Sequence, residues 1–150
     1  MTQDTLEQFL RQKKVSTVAR GMMAGARKKA WLAALGKLMS TIRQWLEPLE
    51  AEGTVAISTR TNVLTEDRLG SYKAQSLVLK VGNEEVCFVP KGTLIVGAAG
   101  RVDVVGDMGE QTLILQEGEW HVVVSRTPRR VVVPLTKDSL HDVLAQVMRD

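Results

Sequence analysis

Two carboxylates stand where neighbouring extended segments would carry them. Asp103 lies in the stretch GRVDVVG at 100–106, and Glu117 ends the stretch QTLILQE at 111–117, with a Gly-rich turn between. Two acids on adjacent strands can hold a divalent cation, and a cation so held lowers the pKa of its bound water. Other reactive groups are few. His121 and His141 are too sparse for a histidine cluster, although either could join Asp142, Glu119 or Asp103 in a mixed metal site. On pattern, His121 falls on the strand face opposite Trp120, and His141 on a helix flank. Gly92, Gly97 and Gly100 lack the spacing of a dinucleotide or P-loop glycine cradle and are followed by a strand pattern, so they read as turn or bulge residues. Ser71, Ser76, Ser125 and Ser139 sit in no G-x-S-x-G context. The single cysteine, Cys87, excludes an internal disulfide or a multi-cysteine zinc site and suits a small buried hydrophobe in a reducing compartment.

In the 100–117 stretch the chain resembles the two catalytic strands of the restriction-endonuclease-like nucleases. In that family an Asp on one strand and a Glu-x-Lys on the next hold metal and position water. The resemblance implies a metal-dependent nuclease-like protein acting through Asp103 and Glu117. The Lys of the pattern is missing, because Gly118 and Glu119 follow Glu117. No catalytic residue, metal ligand or cofactor is assigned, and the reading leans away from an enzyme.

A second polar feature is a basic run. Between positions 11 and 29 come Arg11, Lys13, Lys14, Arg20, Arg27, Lys28 and Lys29 with no acid among them. Residues 1–52 hold nine Lys or Arg against five acids, and the other 98 hold eleven against twelve, so the surplus of base belongs to the front of the chain. Such a run could grip nucleic-acid phosphates with strong salt dependence, lie on anionic lipid, or be a solvated helix flank. Aromatic residues, 4% of the chain, are too few for a base-stacking platform on a sheet.

These groups need a scaffold, and its strongest signal is at 31–49. Leu32, Leu35, Met39, Ile42, Leu46 and Leu49 recur at spacings of three and four, and Trp31, Leu38 and Trp45 widen the stripe. That is an amphipathic helix with a broad apolar face, which needs either the chain's own sheet or a second helix as cover. Asp4 and Glu7 suggest a capped first helix carrying Leu6, Phe9 and Leu10. Gly21 and Gly25, each costing about 1 kcal/mol relative to Ala in a helix, predict a break before a main helix at 27–50 that ends near Pro48 to Gly53.

After Gly53 the period changes from 3.6 to 2. Strands are predicted at 54–60, 72–81, 85–89, 93–96, 102–105, 111–116, 119–126 and 130–135, joined by connections too short for a crossover helix, hence antiparallel. Thr136 caps a last helix carrying Leu140, Val143, Leu144, Val147 and Met148, with Asp138 in its first turn.

The chain therefore reads as α+β: two N-terminal helices, an antiparallel meander or roll of six to eight strands, and a C-terminal helix. That roll is similar in outline to the pleckstrin-homology-like shape, with the N-terminal helices outside its plan. Residues 1–52 would form a helical region and 53–150 the β domain with its helix, as one integrated unit. No secretory or transmembrane pattern is present, so a cytoplasmic location is expected. The function expected is a non-enzymatic binding or adaptor protein acting through protein–protein interaction, as a homo-oligomer. Trp31, Leu35, Leu38, Ile42, Trp45 and Leu49 would be its partner-binding face. The alternative is a nucleic-acid-associated module using the seven basic residues.

Overall fold

The computed structural model describes the backbone of residues 2–67, 69–93 and 98–150, and side chains from Thr5 onward within them. The element order is α1 (Thr2–Ala51), β1 (Ala56–Glu66), β2 (Gly70–Val81), β3 (Glu84–Gly92), β4 (Gly100–Gly106), β5 (Gly109–Gln116), β6 (Glu119–Ser125), β7 (Val131–Pro134) and α2 (Lys137–Val147). The α+β expectation holds, with a helix at each end of the described chain. Seven strands form one open sheet in sequence order, every neighbouring pair antiparallel.

The break expected at Gly21–Gly25 is absent: α1 is continuous for 50 residues. Neither glycine takes a positive φ, and the flanking Arg, Lys, Ala and Met are strong helix formers, whose preference outweighs two glycines. Termination comes at Gly53, with φ +82°. Gly53 N donates to Glu50 O at 3.1 Å and Thr54 N to Leu49 O at 2.9 Å, the paired bonds of a Schellman stop. Pro48 sits in the last turn, as expected. The proposed cap at Asp4 concerns a side chain outside the described residues.

In the sheet, β1 and β2 run on past the predicted 54–60 and 72–81 into a longer hairpin, paired from Ala56↔Lys80 to Glu66↔Gly70. Thr61, Asn62 and Thr65 hid that extension, since they make polar cross-strand contacts instead of an apolar alternation. The strand expected at 93–96 lies, apart from Thr93, outside the described residues. Glu117 (φ +52°) and Gly118 (φ +78°) make a two-residue turn with both φ positive, which joins β5 to β6 without splaying them.

One face of the sheet carries Leu77, Leu79, Val86, Phe88, Val102, Val104, Leu113, Leu115 and Val122. They share a single core with Trp31, Leu35, Leu38 and Ile42 of α1 and Leu140, Val143 and Val147 of α2. Val124, on the same alternation as Val122, is exposed beside the register shift between Val123 and Ser125. Val78, Ile114 and Val123 are also buried but lie outside that core, so the middle of the sheet is covered on both faces. Thr136 caps α2 through a reciprocal box with Ser139. At its far end Val147 O accepts from Met108 N at 2.9 Å, and Arg149 pairs with Glu84 and Asp107, pinning two hairpin turns.

Candidate functional site

Four of the six stripe residues read as a partner face are core of this chain: Trp31, Leu35, Leu38 and Ile42 are buried against the sheet. Trp31 lies directly over Gly100, where a Cβ would meet its ring at 2.1 Å. Its ring centroid is 6.0 Å from that of Trp120, whose Nε1 donates to Ala34 O at 3.1 Å. Trp45 is half-buried and lines a cleft of about 270 Å³ with Lys37, Thr41, Trp120 and Leu135, while Leu49 is exposed.

Beside Trp31 a polar network joins the hairpin end to β3. Glu66 accepts from Tyr72 Oη, and its Oε1 accepts from both the N and Oγ1 of Thr93, at 2.7 Å each. Gly92 leaves room for that carboxylate, since a Cβ there would stand 2.9 Å from it. Burial, then the hydrogen bond to Glu66 and its charge, push the Tyr72 phenol well above its ordinary pKa. Lys28 Nζ lies 5.9 Å from the centre of the Tyr72 ring. The network ties the turn end of the β1–β2 hairpin to the residue that follows β3. No motif announces it in the sequence, because Thr93 lies 27 residues from Glu66 and the two meet only in the fold.

The carboxylates of the nuclease resemblance are not brought together. Asp103 is buried and held by Arg101, whose Nε and Nη2 donate to its two oxygens at 2.7 and 3.2 Å, and by Thr112 Oγ1 at 3.3 Å. The same contact raises the Arg101 pKa, chiefly through its hydrogen bond to Asp103. Arg126 in turn donates to Thr112. Asp103 pairs in register with Thr112, and Glu117 is five residues further along, about 17 Å of strand away. Among the described residues no group of three His, Cys, Asp or Glu is placed to hold a metal. His121 borders the β5–β6 turn near Glu117, and His141 is exposed on α2. Cys87 is half-buried in β3, where burial raises its thiol pKa.

The remaining candidate surface is the front of α1. Its buried residues begin at Ala24; from Thr5 to Met23 the side chains are exposed except for a half-buried Ser16. Leu6, Phe9, Leu10, Val15, Val18, Met22 and Met23 are each more than half exposed. Leu6, Phe9 and Leu10 lie near the tip on one side. Val15, Val18 and Met22 lie further along on the opposite side, at about 100° per residue. The latter spacing of three and four was visible in the sequence but was masked by the basic run. Arg11, Lys13, Lys14 and Arg20 share this exposed stretch and Arg27 and Lys29 follow it, distributed around the helix rather than on one stripe. No family model, curated protein or solved structure matches the chain.

Proposed function

We propose that the chain is a non-enzymatic protein-interaction module in which the sheet and α2 form a rigid base and the front half of α1 is held out as a binding arm. A single observation carries this reading: seven large apolar side chains between Leu6 and Met23 face solvent on a helix whose own buried face starts only at Ala24. Residues 2–23 would span about 33 Å of helix. Most helical stability in proteins comes from packing of an amphipathic face, which this span does not make with the sheet, and Gly21 lowers its propensity further. Two exposed apolar clusters on such an element point to a protein partner. Trp45 and Leu49 extend the same reading to the far end of α1, whereas the four buried stripe residues act by fixing the arm to its base.

The test is site-specific photo-crosslinking in cells. A crosslinker at Val18 is expected to give protein adducts, and one at Glu119, in the β5–β6 turn region, far fewer. Absence of adducts from Val18 sinks the reading.

A nucleic-acid role is the second reading, supported by Lys13, Arg20 and Arg27, which recur every seven residues along one side of α1 over about 21 Å. Binding through that line would weaken steeply with salt. Charge reversal at Arg20 and Arg27 that leaves a gel shift unchanged removes it.

A further inference from the structure

We infer that the outward side of the α1 arm pairs antiparallel with the arm of a second copy of this chain; the inference rests on the arm being an interaction surface. Val15, Val18 and Met22 are 63%, 54% and 72% exposed and recur at three and four residues. They form the apolar part of a seam that continues through Gly25, where nothing lies within 4 Å of an added Cβ. Ala19 and Ala26 flank it, small residues that let a second helix approach closely, as in knobs-into-holes packing. The seam lies on the side of α1 away from Ala24, Trp31 and Leu38, which dock on the sheet. In such a pair each sheet stays on the outside and neither obstructs the other.

Charge sets the direction. Along one seam run positions 11, 15, 18, 22, 25 and 29, so a parallel pair would place Arg11 against Arg11 and Lys29 against Lys29. An antiparallel pair centred between Val15 and Val18 avoids both. Val15 then meets the second copy's Val18, Met22 meets the stem of its Arg11, and Gly25 meets its Gln8. Glu7, the one acid among residues 5–23, comes within reach of the second copy's Lys28 and Lys29, and the two-fold axis repeats that pairing. Within its own helix Glu7 pairs with exposed Arg11 at 3.3 Å, a weak contact that is easily exchanged.

Light scattering on the full chain across a dilution series tests the pair. The expected result is a species of twice 16.5 kDa that dissociates on dilution. Val18→Asp should weaken it at least tenfold while leaving the thermal transition of the base unchanged. Glu7→Lys and Lys29→Glu should each weaken it, and together restore it. In a Cys87→Ser background, Val15→Cys mixed with Val18→Cys should crosslink faster than either alone. A monomer at every concentration, a dimer indifferent to Val18→Asp, or fastest crosslinking of Val15→Cys with itself overturns the inference. Should the chain be monomeric while the Val18 photo-crosslinker still captures another protein, self-pairing fails and the arm reading survives. Absence of adducts fails both.

Discussion

Trp31 and Trp120 meet with ring centroids 6.0 Å apart and planes tilted by 46°, one from α1 and the other from β6. The pair is reinforced on both sides. Gly100 gives Trp31 a flat floor, and the Trp120 indole N–H reaches across to the Ala34 carbonyl. This is the joint on which the position of the whole helix depends.

Gly100→Ala tests the floor. A methyl group placed 2.1 Å from the Trp31 ring must displace it or the strand. Overpacking of that kind costs about 1–3 kcal/mol. Urea unfolding should show the loss, with a shift in tryptophan emission; an unchanged midpoint would show that the ring is not held against β4.

Trp120→Phe keeps most of the apolar contact but deletes the donor to Ala34 O. The expected cost is about 0.5–1.5 kcal/mol. A loss much larger than that would mean that ring packing, rather than the hydrogen bond, dominates at this position.

Tyr72 is the single tyrosine, so phenolate absorbance reports it alone. Its folded pKa is raised by burial and by Glu66. The folded state therefore retains the proton after the unfolded chain has lost it. The associated stability is complete below about pH 10, the ordinary tyrosine value, and is lost as pH rises from there through the folded pKa. Absorbance should show Tyr72 still protonated above pH 10 in the folded protein, with stability falling over that range. Tyr72→Phe should flatten the fall. A phenol titrating at the ordinary value would remove this account of the Glu66 network.

Asp103→Asn separates structure from chemistry. Removing the charge leaves the Arg101 guanidinium facing a neutral amide, at an expected cost of about 1.5–3 kcal/mol. If Asp103 serves Arg101 alone, magnesium or manganese should leave the melting temperature of the parent protein unchanged. A metal-dependent rise that vanishes in Asp103→Asn would instead revive the nuclease reading.

Gly53→Ala probes the end of α1. At φ +82° an L side chain is strained by about 1–2 kcal/mol. Thermal melts should show the loss, and Gly53→Asn should recover part of it, because Asn tolerates the left-handed region.

Much of the sheet was legible in the sequence because its signals are local. Val, Ile and Leu alternate along Leu77–Leu79, Leu113–Leu115 and Trp120–Val122, and the Gly82 and Gly118 turns leave room only for antiparallel neighbours. The stripe of α1 was equally plain, yet whether it faced a sheet or another helix was not. That question is decided by Gly100, 69 positions from Trp31, and no local pattern connects them. Continuity through Gly21 and Gly25 is not legible from the cost of each glycine alone, because the strong helix formers around them outweigh both. The Glu66, Tyr72 and Thr93 contacts were missed for the same reason as Gly100: each residue is unremarkable until the hairpin folds back onto β3.

Because one unbroken helix runs from the free front of α1 into the Trp31 joint, any load applied near Leu6 acts as on a lever with its fulcrum close to Ala24. A tilt of about 10° there would sweep the tip through roughly 6 Å, given a rise of about 1.5 Å per residue. The short limb, from Trp31 to Ile42, would transmit the same rotation as torque on Gly100 and Trp120, so emission from the indoles of Trp31 and Trp120 offers a built-in strain gauge for whatever the long limb grasps.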